Sequence, residues 1–83
     1  MARVPEPDLA HAVERCQHGD KHAFRLIADN HGERLYGIAF LIIDDRLKAE
    51  DAVQETLLLA WRNIKRFRTG AKLSPWLNRI LLN

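Results

Sequence analysis

Apolar residues recur at intervals of three and four along almost the whole chain, which is the spacing of helix faces and not the alternation of strands. Leu9, Ala12, Val13 and Cys16 form the first such stripe. Asp8, following Pro7, is placed to cap this helix, and Gly19 suits the position just past its end. Asp20 suits the next N-cap. A second stripe then runs through Phe24, Ile27, Ala28, His31, Leu35, Ile38, Ala39 and Ile42, with Gly32 in its middle as a point of bending or division. Asp44 and Asp45 form a break and can cap a third helix reaching about Arg66. The stretch RFRTGAKL reads as a loop centred on Thr69-Gly70, and Ser74-Pro75 as N-cap and first residue of a fourth helix bearing Trp76, Leu77, Ile80 and Leu81. From Pro75 to Asn83 that helix has only about 13–14 Å of length. It is expected to be cut short, as at a fragment boundary. The pattern predicts an all-α protein, a compact domain of three to four helices over residues 8–83 after a flexible N-terminus over 1–7.

On a helical wheel the third helix has two faces. With Val53 as zero, Ala49, Leu57, Ala60 and Ile64 fall within about 40° of it, with Trp61 at about 80°, and these are the expected core. Asp51, Glu55, Leu58 and Arg62 lie opposite, with Gln54 at the flank. A solvated face would account for this composition. However, Asp51 and Glu55 are a like-charged pair four residues apart, worth about 0.2–0.5 kcal/mol against an isolated helix. Leu58 beside them is an apolar residue within a polar cluster, an arrangement suited to a protein-binding patch.

Charge is divided along the chain. Residues 1–55 hold all eleven acidic side chains and seven basic ones, whereas residues 56–83 hold six basic and no acidic side chain. Two surfaces with different partners are expected, the basic one facing nucleic acid. Lys65, Arg66, Phe67, Arg68, Lys72, Trp76 and Arg79 mix cations with aromatic rings, a combination suited to phosphates and unpaired bases. Core packing is the competing reading of Phe67 and Trp76, the latter because it shares a helix with Leu77 and Ile80. The loop before the fourth helix is too long for a helix-turn-helix.

Catalytic signals are missing. There is no glycine-rich phosphate loop, no nucleophile motif and no paired-cysteine metal spacing. Cys16, His18 and His22 are divided between elements by Gly19-Asp20, so no metal or cofactor site is expected, and no enzyme. One cysteine excludes an internal disulfide and suits a reducing compartment. No apolar run approaches the roughly 18–20 residues of a membrane span, and MARVPEPD lacks a signal-peptide core. The expected location is cytoplasmic.

The stretches DKHAFRLIADNHGERLYGIAFLIIDD, AEDAVQETLLLAWRNIKRF and SPWLNRILLN resemble region 2 of bacterial sigma-70 family factors, in particular the extracytoplasmic function (ECF) subfamily. The resemblance covers about residues 10–83. Its most specific part is Asp51-x-x-Gln54-Glu55 followed by Ala60-Trp61 and, about fifteen residues on, Pro75-Trp76-Leu77. It implies the sigma region 2 fold and a partner for each face. Asp51, Gln54 and Glu55, with Leu58 and Arg62 beside them, would dock on the clamp helices of the beta-prime subunit of core RNA polymerase. Lys65, Arg66, the loop from Phe67 to Leu73, and Trp76, Arg79 and Asn83 would recognise and open the promoter minus-ten element on its non-template strand. An anti-sigma factor, where present, covers such surfaces.

The sequence departs from the family at Leu82, where a basic residue usually precedes the asparagine matched by Asn83. The resemblance implies that the fourth helix would continue and a second DNA-binding domain would follow, neither of which falls within these 83 residues. Three readings stand: a promoter-specificity factor or its N-terminal part, a truncated module that occupies the polymerase clamp without productive promoter recognition, and an unrelated helical DNA-binding domain.

Overall fold

Caps decide where the helices begin and end. In the computed structural model, which describes residues 6–68 and 70–83, α1 spans Glu6–Gln17, α2 Lys21–Ile43, α3 Arg46–Asn63 and α4 Leu73–Leu82, with a 3-10 turn over Ile64–Arg66. The five residues at the start of the expected flexible N-terminus, and Thr69 at the centre of the expected loop, lie outside the described residues. Because α1 already includes Glu6 and Pro7, Asp8 sits within the helix and is not its N-cap.

The first corner follows the sequence signals closely. Gly19 takes a left-handed φ of +94°. Its N–H donates to the Cys16 carbonyl at 2.9 Å and that of Asp20 to the Arg15 carbonyl at 3.0 Å, the bond pair that closes a helix through a left-handed residue. The Asp20 carboxylate then accepts from the N–H groups of His22 and Ala23, capping α2. Arg15 grips the same carboxylate from behind at 2.6 and 2.9 Å.

The helix α2 runs unbroken for 23 residues, so Gly32 does not divide it. At 1.5 Å per residue it is about 34 Å long, close to the molecule's longest extent of 35 Å. Ala23, Ile27, His31, Leu35 and Ala39 are its buried line. It packs between α1 and α3, and α4 closes over α3 and α2. The predicted stripe fails at Ile42, which is 65% exposed. Here α2 overshoots its neighbours, and every residue from 40 to 48 is exposed. Asp44 ends α2 in the left-handed region at φ 54°, its N–H bonded to the Phe40 carbonyl, and the Asp45 carboxylate caps α3 by accepting from the Lys48 N–H.

On α3, Ala49, Val53, Ala60 and the following Ile64 are buried as expected, and Leu57 and Trp61 pack at the margin. Thr56 joins them. Its hydroxyl donates to the Ala52 carbonyl at 2.8 Å, which satisfies the only polar group it brings into the core. Trp61 meets Phe24 edge-on, ring centres 5.6 Å apart. The helical path reaches Arg66 as predicted, but its last turn tightens to 3-10 geometry.

Helix α4 begins one residue before the predicted cap. Lys72 stands at the N-cap without a side-chain bond, and Ser74 lies inside the helix. Leu73 is only 2% exposed, and its burial draws the first turn earlier. Pro75 remains within the first four residues, whose N–H groups have no helical partner in any case. Burial of Leu77, fully enclosed, stabilises the packing of α4 by about 1.5–3 kcal/mol.

Two side-chain tethers complete the frame. The Gln17 amide nitrogen donates to the carbonyls of both Ile64 and Phe67, each at 3.0 Å. Arg34 on α2 donates to the Asn78 side-chain oxygen on α4 at 2.6 Å.

Candidate functional site

Two exposed surfaces gather most of the residues singled out by sequence. The first is the outer face of α3. Asp51, Gln54, Glu55, Leu58 and Arg62 are all exposed, Leu58 at 49%. None of the five has a side-chain hydrogen bond or ion pair within the protein among those described. A rigid helix therefore presents two carboxylates, an amide and an apolar side chain outward, which suits a partner surface bearing cations and an apolar contact. Leu47, 70% exposed, lies on the same face one turn before Asp51. It extends the apolar part of the surface towards the tip formed by Leu41 and Ile42. Sequence reasoning missed it because Leu47 at the start of a helix is as often buried. Turning the wheel back one further step would have placed it.

The second surface is an open groove of about 550 Å³ between the exit of α3 and the start of α4. Arg66 comes from the 3-10 turn, Arg68 and Lys72 from the loop, and Trp76 and Arg79 from α4. Phe67, Ala71 and Pro75 complete its lining. Four cations thus surround one partly exposed indole, an arrangement able to hold phosphates while a base meets an aromatic face. Gly70, at φ +93°, provides the left-handed turn that brings the loop back towards α4.

Phe67, expected among the DNA contacts with core packing as the competing reading, is buried. It is 6% exposed and belongs to the core, its ring 4.9 Å from that of Trp76 at a tilt of 57°. Phe67 thus packs against the indole from the core side while still lining the floor of the groove. Lys65 is exposed on the 3-10 turn but does not line the groove, and neither does Asn83 beyond the end of α4. The tethers through Gln17 and Arg34 had no sequence signal, since their partners lie 44 to 50 positions away.

Cys16 is buried, and this burial, reinforced by the charge of Asp20, pushes its thiol up to about 11, so it stays protonated at neutral pH. Among the described residues no three metal-ligating side chains come together. No helix among them is long and apolar enough to cross a membrane.

Sigma-70 region 2 matches residues 27–83. The chain belongs to that family. It is 35% identical over 71 residues to the RNA polymerase sigma-H factor of Pseudomonas aeruginosa, an alignment covering 86% of this chain and 37% of the relative. It is 37% identical to the ECF RNA polymerase sigma-E factor of Haemophilus influenzae over the same shares of both chains. With the ECF RNA polymerase sigma factor SigW of Bacillus subtilis it shares 32% identity, over 86% of this chain and 38% of that one. The chain thus spans a little over a third of the length of these curated relatives.

Proposed function

We propose that the chain is the part of an ECF-type sigma factor that docks on core RNA polymerase and engages the promoter minus-ten element, a cytoplasmic role in transcription initiation and a non-enzymatic one. The carrying observation is the separation of charge onto two exposed surfaces of one small body. The α3 face, Asp51, Gln54, Glu55, Leu58 and Arg62, meets the beta-prime clamp helices. The groove of Arg66, Arg68, Lys72, Trp76 and Arg79 takes the non-template strand, with Lys65 and Asn83 as outlying contacts. An anti-sigma factor would act by covering these same surfaces.

Titration with core polymerase, and with a single-stranded minus-ten oligonucleotide beside its duplex, tests the reading. Binding to core polymerase and a preference for the single strand are expected. A chain that binds neither is not such a module. One observation favours a second reading, a module that occupies the clamp without productive promoter recognition. Leu82, 59% exposed, offers an apolar side chain where the family usually carries a cation next to the residue matched by Asn83. Core binding without any single-strand binding would select this second reading.

A further inference from the structure

We propose that Gln17 is a positioning residue for the basic groove: from the end of α1 it fixes the segment that carries the loop wall, and so sets how many cations act on one strand together. The proposal rests on the reading of the groove as a single-strand site. Gln17 lies partly buried at the last position of α1. Its one amide nitrogen donates to the Ile64 and Phe67 carbonyls, both at 3.0 Å. These carbonyls bracket the 3-10 turn that bears Arg66, and that of Phe67 directly precedes Arg68. The Phe67 N–H also donates to the Ile64 carbonyl, at 3.1 Å, across the turn.

The bracket matters because of what hangs from it. Phe67 is the buried support of Trp76. Arg66 and Arg68 flank Phe67, so their direction follows the backbone at that residue. Both hydrogens of a primary amide are used, one for each carbonyl, a task that a hydroxyl or an apolar side chain cannot perform. The register of α1 is itself locked by the Gly19 turn and the Asp20 cap just beyond. Gln17 therefore reaches from a fixed corner to the hinge of the groove, without touching the ligand.

The discriminating experiment uses a substitution that changes no charge. Gln17→Met keeps the bulk of the side chain and every cation of the chain. Single-strand binding is measured by fluorescence anisotropy across a salt series for the 83-residue chain and this variant, with thermal melting alongside. Loss of two hydrogen bonds should weaken binding roughly three- to tenfold. More tellingly, the slope of log affinity against log salt should flatten by about 0.7, the contribution of one phosphate contact to a single strand. Overall destabilisation of a chain still folded at the assay temperature would not change that slope. Gln17→Lys, whose ammonium can donate to both carbonyls, should restore protection of the Phe67 and Arg68 region in amide exchange of the free protein. If Gln17→Met fails to fold, Gln17→Asn, too short by one methylene to span both carbonyls, takes its place in the same assay. An unchanged slope and affinity in the variant, with wild type binding as expected, overturns the role of Gln17 while leaving the groove reading intact. A wild-type chain with no salt-dependent binding overturns the groove reading and the role of Gln17 with it.

Discussion

The outer face of α3 and the groove beside α4 are both exposed and charged, yet they are built in opposite ways. Every residue of the α3 face comes from one helix whose other side is locked into the core by Ala49, Val53 and Ala60. The groove is assembled from a 3-10 turn, a loop and the first turns of another helix. The first surface needs only the helix to be formed. The second needs three segments held in register, by the Phe67–Trp76 pair, by buried Leu73 and Leu77, and by the Gln17 and Arg34 tethers. A small domain with modest stability can keep the first while losing the second.

The largest effect should come from separating these two dependencies. Leu77→Ala empties a fully enclosed site and should destabilise the domain by about 2–5 kcal/mol, with the groove lost first. Leu58→Ala, on the outer face, should change stability by no more than about 0.5 kcal/mol. Urea melts of both variants make the comparison, and similar losses for the two would break it.

Next in size is recognition by the α3 face. Glu55→Lys should weaken binding to core polymerase by about 1–4 kcal/mol with the fold barely changed. An unaltered affinity in a direct titration would remove the acidic face from the docking surface.

The same contrast explains what could be read from sequence. The α3 face follows from a wheel because exposure on one helix is a local periodic property, and residues 51, 54, 55, 58 and 62 all point outward. The turns at Gly19-Asp20 and Asp44-Asp45 were legible because each is closed by side chains and carbonyls a few positions away. The groove was only partly legible. Its cations stand out by composition, but Phe67 among them is buried by contacts that composition does not record. Ser74-Pro75 gave a good local start signal, and burial of Leu73 moved the cap two residues earlier, to Lys72. Ile42 kept the stripe's spacing after the helix had run past the elements that could cover it.

A third prediction sharpens the electrostatic side of the groove. Three or four of its cations acting together give a single-strand salt slope of about −2 to −3. Replacing Arg68 and Lys72 together by Ala should flatten this by about one to two units, and leave core polymerase binding as it was. A slope that stays the same would mean that the strand runs elsewhere on the protein.

The smallest expected effect concerns the corner from which Gln17 reaches the groove. The hydrogen bond from Arg15, aided by the Ala23 N–H, holds the Asp20 carboxyl below its ordinary value of 3.8. A carboxyl whose folded value is depressed contributes stability that is complete above the unfolded value and fades as pH falls through the folded one. The contribution of Asp20 should therefore be constant from neutral pH down to about 4 and disappear in more acidic solution. Thermal melting of wild type and Asp20→Ala across this range should give two curves separated at neutral pH that converge under acid. Asp20→Asn, which retains an oxygen for capping but not the charge facing Arg15, should fall between them. Because the pair is exposed, salt should narrow the gap for the charge component. Coincident curves already at neutral pH would show that the corner is held by its backbone turn alone. The charged cap would then add nothing to the placement of Gln17, and the groove would depend on Gly19 and the helix-closing bonds around it.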